Sequence, residues 1–319
     1  MSSLESTRDR PKPTPSAVAE RLAQIVSPAT VIRCQEPLAK RTTLRVGGPA
    51  DLYIEPASEN DLSSVLSFCA EGKLPLFVLG RGSNLLVRDG GIRGAVICLA
   101  HPHFSRVEVA GSELTCGAGA KLKAVAVEAK RQGLTGLEFL EGIPGSVGGA
   151  LRMNAGAMGG AIFDLVQSVR LMDFSGHLRE CKPAEMGVQY RGCALLKTHL
   201  ALGAVLRGQK GVREEIEQRM NQFSQKRWQS QPAAPSAGCI FKNPATIPAG
   251  KLIDELGLKG LRVGGARVSL EHGNFLVNDG TATARDVVEL IELVRARARA
   301  ERDLELETEV EIIGEWAGS

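Results

Sequence analysis

Residues 133 to 160 constrain this chain more than any other stretch. They are glycine-dense and short of charge, yet rich in small and apolar side chains. A linker of that length would be polar, because an exposed segment gains nothing from alanine, leucine and valine. The stretch therefore reads as a buried loop wrapped around something. At its centre lies Gly142-Ile-Pro-Gly-Ser-Val-Gly-Gly149, followed by Asn154-Ala-Gly156. Glycines at this spacing let the backbone approach a flat or anionic ligand closely, since no Cβ intervenes. Chain reversal alone is the competing explanation.

A second loop, Gly80-Arg-Gly-Ser-Asn-Leu-Leu-Val87, follows the short apolar strand expected at Leu76–Leu79. With a strand at Asp51–Glu55 and a helix at Asp61–Ala70, the order is βαβ-like and the glycines fall at a strand's C-terminal end. Backbone N–H groups and short polar side chains there can point at phosphate oxygens. The spacing is neither G-x-G-x-x-G nor G-x-x-x-x-G-K-[ST], so neither a Rossmann nor a P-loop site follows. A structural turn remains the alternative. Arg45-Val-Gly-Gly-Pro49 is a third such loop, and three together shift the reading toward a large phosphate-bearing cofactor.

The chain is long enough, at 319 residues, for two ordinary domains or three small ones. A hydrophobic content of 43% with 24% charged residues describes a globular protein with a real core. A net charge of +3 is too small to argue for nucleic acid or a membrane surface. Aromatics at 4% leave no stacking platform for a single strand. The seven cysteines form no C-x-x-C pair and no zinc spacing, a scattered set that suits a reducing compartment. No metal site is expected. No apolar run reaches membrane length and no signal-type apolar region opens the chain, so the expectation is a cytoplasmic protein, neither exported nor anchored.

Polar, proline-bearing Met1–Pro15 is expected to be a disordered tail, and Ser16–Val26 a short helix with Ser16 as N-cap. Strands follow at Ala95–Leu99 and Leu114–Cys116, a helix at Lys121–Arg131, a hairpin around Ser175-Gly176 and a strand at Leu200–Leu206. A charged helix over Gly211–Trp228 should join two domains. Beyond it come the strand pair Ala266–Ser269 and Asn274–Val277. The helix Ala284–Arg302 should begin at Thr283 as N-cap with Asp286 three residues on, and the last strand is expected at Leu306–Ile313.

One proton-bearing group stands out. Cys239 lies in Ser236-Ala-Gly-Cys-Ile-Phe-Lys-Asn-Pro244, a tight polar turn beside a cation and an amide. Tyr190-Arg191 and Leu306-Glu-Thr-Glu-Val310 could add a guanidinium and a carboxylate, the latter from Glu309. That trio can handle an anionic substrate and deliver a proton, but it cannot do redox chemistry unaided. Taken singly, each has an ordinary explanation: an inert thiol, a solvated arginine, a surface carboxylate. His272 in Glu271-His-Gly-Asn274 has the same standing.

Taken in order, the motifs say more. Thr42-Thr-Leu-Arg-Val-Gly-Gly-Pro-Ala50, Leu79-Gly-Arg-Gly-Ser-Asn-Leu-Leu86 and Gly142–Gly149 come first. Asn154-Ala-Gly156, Tyr190-Arg191, Gly238-Cys-Ile-Phe-Lys-Asn-Pro244, Glu255-Leu-Gly-Leu-Lys-Gly260 and Glu309-Val310 follow. From about Thr42 to Gly314 the chain resembles the UDP-N-acetylenolpyruvoylglucosamine reductases (MurB), flavoenzymes of bacterial peptidoglycan precursor synthesis. The resemblance implies an α+β fold: a two-subdomain FAD-binding domain of the vanillyl-alcohol-oxidase (PCMH) type and a C-terminal α+β substrate-binding domain. The implied division is a tail at 1–15, the FAD domain at 16–211 (subdomains about 16–102 and 103–211), and the substrate domain at 212–319. It also implies non-covalent FAD, NADPH as co-substrate, a UDP-sugar substrate and a monomer.

By the same resemblance, Arg45, Gly47, Gly80, Arg81, Gly82, Ser83, Asn84, Gly145, Ser146, Gly148, Gly149, Asn154 and Gly156 would hold the cofactor. Tyr190, Lys226, Arg227 and Asn243 would hold substrate. Arg191, Cys239 and Glu309 would be catalytic: Arg191 and a protonated Glu309 stabilising an enolate, Cys239 protonating it at C2 after hydride reaches C3. The short segment between Arg191 and Cys239 has no tyrosine, as in the family branch without a tyrosine-bearing lid. Two departures stand out: Cys239 replaces a frequent serine, and so does Cys193. Arg191 and Lys242 should lower the Cys239 pKa, which makes keeping its proton a constraint. The rivals are an alcohol-oxidising flavoenzyme of the same class, a cysteine-nucleophile transferase, and a flavin binder without turnover.

Overall fold

The structure is a computed structural model and describes residues 14–318. Most of the expected tail therefore lies outside the described residues. Pro15 already opens helix α1 (Pro15–Ala23), and the N-cap is Thr14 rather than Ser16, its hydroxyl accepting from Ala17 N at 3.4 Å. Proline in the first turn fits this start, because its missing N–H would have had no helical partner.

A four-stranded sheet comes next, in the spatial order 31–37, 49–55, 92–98, 76–79. Its first pair is antiparallel and the other two are parallel, joined through helix α2 (Glu59–Glu71), whose Ser58 cap accepts from Asp61 N. A second, fully antiparallel sheet of five strands runs 178–181, 166–173, 199–207, 113–117, 107–110. It includes the expected hairpin, with Met172 opposite Leu178. Helix α3 (Leu122–Arg131) buries Leu122, Val125, Ala126 and Ala129 beneath it. One apolar core unites residues of both sheets, from Leu22 and Ile54 to Leu171 and Leu206.

The glycine-dense stretch is more ordered than a loop. It contains helix α4 (Val147–Met153) and short strand pairs at 156–157 and 160–161. Small residues make this possible: Val147 N and Gly148 N donate to the carbonyls of Ala120 and Ala118 at 2.9 and 2.8 Å, an approach larger side chains would block.

Helix α5 (Arg213–Ser230) sends its two buried residues, Ile216 and Met220, into the first core. A third sheet, ordered 236–239, 275–278, 266–268, 262–263, is antiparallel throughout. Helices α6 (Ala249–Glu255) and α7 (Ala284–Arg302) share its core, and α7 carries the expected capping box of Thr283 and Asp286. The Gly250–Gly260 segment thus holds a helix that its glycines concealed.

The chain end then returns to the first half. Glu311–Ile313 pairs in parallel with Leu85–Val87, just after the Gly80 loop. The last strand is shorter than expected, because Glu307–Glu309 leave sheet geometry to pair with the cysteine loop, through one bridge at Phe241–Thr308. Asp89 ties the two halves further, its carboxylate accepting from Ala284 N and Arg285 N at the start of α7.

Candidate active site

The cysteine loop is aimed by a bulge. Ser236 pairs with Val277 and Cys239 with Phe275, so three steps on one strand face two on its partner. The extra residue turns the strand locally and re-aims the side chain that follows. Gly238 takes φ +75°, where a side chain would be strained. Beyond Cys239 the loop is locked by buried Asn274: its Oδ1 accepts from Phe241 N at 2.9 Å and its Nδ2 donates to Phe241 O at 2.8 Å. Ile240 O accepts from Glu309 N at 2.7 Å, which draws the C-terminal segment alongside.

Arg191 arrives from the other half. Val188–Gln189 and Gly192–Cys193 form a tiny hairpin whose two-residue turn is Tyr190-Arg191. Arg191 occupies its second position at φ +56°, a left-handed backbone that costs a non-glycine residue roughly 1–2 kcal/mol. Such strain collects where geometry is needed for function. Arg191 Nε lies 2.8 Å from Glu309 Oε1, yet its N–H is not directed at that oxygen and has no well-aligned acceptor. The pair is therefore an ion pair by distance with hydrogen-bonding capacity to spare.

These surroundings decide protonation. Burial pushes the Cys239 thiol up to about 11; the Glu309 carboxylate adds to the rise and Arg191 opposes it. Burial likewise raises Glu309, against the pull of Arg191 and Lys242. Lys242 spends its ammonium on Glu307. The constraint on the thiol is thus met: desolvation and a neighbouring acid outweigh the guanidinium, and Cys239 keeps its proton.

Beside this cluster, between the first and second sheets, lies a cavity of about 740 Å3, within the range of ordinary cofactor sites. The two glycine loops meet across it. A Cβ at Gly80 would stand 3.2 Å from Ser146 Oγ and 3.9 Å from Gly149 Cα, so the two loops approach closely and a side chain there would press on the serine hydroxyl. Six cations, Lys40, Arg41, Arg81, Lys121, Arg152 and Lys197, line the wall against one acid, Glu311. Apolar Leu76–Leu79 and Leu99 complete it. A flat apolar surface, glycine backbone and an excess of positive charge suit a molecule that joins rings through a diphosphate, as FAD does.

Comparison with known proteins follows the same division. Residues 50–182 match the FAD binding domain family, and residues 231–313 match the C-terminal domain family of UDP-N-acetylenolpyruvoylglucosamine reductase. The reductase of that name from Clostridioides difficile is 43% identical over 286 residues, covering 89% of this chain and 94% of its own length. The Heliobacterium modesticaldum reductase is 46% identical, with 89% and 91% covered. The crystal structure of MurB from Thermus caldophilus superposes with a TM-score of 0.78 at 41% identity, covering 90% of this chain and 99% of that one. This chain belongs to the UDP-N-acetylenolpyruvoylglucosamine reductase family. Its fold is the expected FAD-binding domain of the vanillyl-alcohol-oxidase type followed by the MurB C-terminal domain.

Within that MurB frame the expected ligands fall into three groups. Gly80, Arg81, Ser146, Gly148 and Gly149 line the cavity. Gly82, Ser83, Asn84, Gly145, Asn154 and Gly156 do not line it; Ser83 lies near both Gly145 and Gly238, and Asn84 touches Glu309, so these extend the site toward Cys239. Gly82 instead packs on the Arg41 and Thr42 backbone, and Gly156 on Gly160. Arg45 and Gly47 are not brought to the cavity: Arg45 is exposed, and Gly47 packs where a Cβ would stand 2.7 Å from Val87 Cβ.

Of the substrate candidates, Tyr190 is 64% exposed beside Arg191, with the guanidinium carbon 5.3 Å from its ring centre. Lys226 is exposed, while Arg227 Nη1 donates to Gly142 O at 2.5 Å, at the root of the glycine loop. Asn243 uses Oδ1 to accept from Ala249 N and so caps α6. Cys193 is buried in the first core and donates to Met186 O, away from the anion site. His272 packs against Gly250 and accepts from Asn274 N, a structural role. The sequence offered no signal for Lys40, Lys121 or Lys197, since isolated lysines in turns read as solvated charge. Asn274 was equally hidden, because its staple joins positions far apart in sequence.

Proposed function

We propose that the protein reduces the enolpyruvyl ether of UDP-N-acetylglucosamine enolpyruvate to UDP-N-acetylmuramate, a step in peptidoglycan precursor synthesis. The observation that carries this reading is the convergence of a thiol whose pKa is pushed up to about 11, a guanidinium and a buried carboxyl beside a cation-lined, glycine-walled cavity. The Gly80 and Gly145–Gly149 loops would hold FAD non-covalently, and the bound flavin would supply the hydride chemistry that links NADPH to the enolpyruvyl C3.

The chain's own residues then manage charge and one proton. Adding hydride at C3 places negative charge at C2 and in its carboxylate. Arg191, with an N–H free of a well-directed acceptor, stabilises that charge, the kind of preorganised donor that lowers a barrier most. Burial raises the Glu309 pKa, and in its acid form the carboxyl offers a second hydrogen bond without adding repulsion. Cys239 delivers its proton to C2 and is left as a thiolate, which regains a proton from water. Its raised pKa keeps the acid form populated between turnovers. Lys226 or Arg227, with Tyr190, would serve the UDP diphosphate, and Asn243 the sugar-proximal part of the substrate. A cytoplasmic setting agrees with the scattered unpaired cysteines, and among the described residues no helix is long and apolar enough to cross a membrane.

An anaerobic titration tests the reading. The purified flavoprotein should bleach on adding NADPH and recover its absorbance on adding the enolpyruvyl substrate. Bleaching without recovery would refute the substrate assignment, and a chain that binds no FAD would refute the flavoenzyme.

A further inference from the structure

Two asparagines expected to serve the cofactor spend their amide N–H groups elsewhere. Asn84, at the end of the Gly80 loop, donates from Nδ2 to the backbone carbonyl of Glu309 at 3.0 Å. Its own carbonyl accepts from Glu311 N at 3.1 Å, so the Glu309 segment is gripped on both sides. Asn154 closes helix α4 at φ +39° and donates from Nδ2 to Gln189 O at 3.2 Å, the residue just before the Tyr190-Arg191 turn. Its Oδ1 is buried with no partner. The Ile240 carbonyl fixes Glu309 N from the cysteine loop, and among the described residues Asn84 alone fixes its carbonyl.

We propose that Asn84 and Asn154 are positioning residues, each carrying the placement of a cofactor loop into the backbone of one half of the Arg191–Glu309 pair. The proposal rests on the functional reading above. Physically, a side-chain amide is short and planar, so a backbone held by it moves with the loop that bears it. The left-handed Arg191 turn and the irregular 307–309 segment have little sheet pairing of their own, which makes these two bonds decisive. When the loops settle around the cofactor, guanidinium and carboxyl are set at once.

The test is a pair of double-mutant cycles, read as separate half-reactions of the FAD-loaded protein together with FAD dissociation constants. Asn84→Ala and Asn154→Gly, the latter keeping a backbone glycine tolerates, should each slow reoxidation by substrate by about 10–100-fold and NADPH reduction by less than about threefold. In a Glu309→Ala background Asn84→Ala should add almost nothing, and Asn154→Gly should add almost nothing to Arg191→Ala, because coupled residues are non-additive. Equal slowing of both half-reactions, or fully multiplicative doubles, would overturn the positioning role. Weaker FAD binding with normal reoxidation at saturating FAD would overturn it too, leaving plain cofactor ligands. Should Asn84→Ala fail to fold, the Asn154 cycle decides alone. If Glu309→Ala and Arg191→Ala themselves reoxidise at full rate, the functional reading falls with the proposal; slow singles with multiplicative doubles sink the proposal only.

Discussion

The cofactor cavity and the Cys239 cluster sit side by side and divide their work differently. Around the cavity, six cations and two facing glycine loops would share one anionic ligand, and four of those cations, Lys40, Arg81, Lys121 and Lys197, make no ion pair among the described residues. In the cluster, one thiol, one guanidinium and one carboxyl come from three separate segments, and the proposed mechanism gives each a task no neighbour takes over. Distributed electrostatics tolerate loss; a proton donor does not. The contrast teaches where single substitutions should be severe and where they should be mild.

The largest effect should come from Cys239→Ala. Reoxidation of the reduced flavin by substrate should slow by about 10²–10⁴-fold while NADPH bleaching persists, the mark of a missing general acid. Stopped-flow absorbance on each half-reaction reads this directly, and equal losses in both would erase the contrast. Cys239→Ser should retain substantial activity, because a hydroxyl can also carry the proton. Next, Arg191→Ala should cost about 10²–10³-fold in the same half-reaction, the scale of losing one preorganised anion donor. On the cavity side, Arg81→Ala should weaken FAD binding by no more than about fivefold, since a solvent-facing charge contributes up to about 1 kcal/mol. Fluorescence titration with FAD measures it, and a loss of several hundredfold would show that the cavity is no shared device.

The smallest effect concerns pH. Because the folded Cys239 pKa is raised to about 11, the protonated thiol's contribution to stability is complete below the ordinary thiol pKa and is lost as pH climbs through about 11. Buried Cys69 and Cys116, raised to about 11 and about 12, behave alike. Urea denaturation across that window should show stability falling, slightly less in Cys239→Ser. The reoxidation rate should also decline as pH rises through the raised Glu309 pKa, and Glu309→Gln should remove that limb.

Much of this molecule could be read along the chain. Helix α7 announced itself through Thr283, Asp286 and an apolar face that is buried as expected. The Gly80 loop and the Gly142–Gly149 stretch pointed to one phosphate-bearing ligand, and the structure stands them face to face. Gly238-Cys239 marked a turn bearing a thiol. Helix α4 was hidden because glycine suppresses helix signals in any local window, and only contact with Ala118 and Ala120 makes a helix affordable there. The final strand came out short because Glu307–Glu309 found the cysteine loop instead of a sheet.

Local chemistry, then, was determined by the sequence alone: which segments can turn without a Cβ, which residue can give a proton, which helices can cap themselves. These depend on residues a few positions apart. Tertiary structure decided the raised pKa of that thiol, the pairing of Arg191 with Glu309, and the hydrogen bonds from Asn84 and Asn154 to the backbone of Glu309 and Gln189. Each of those depends on desolvation and on contacts between segments far apart in the chain, and neither exists until the chain has folded.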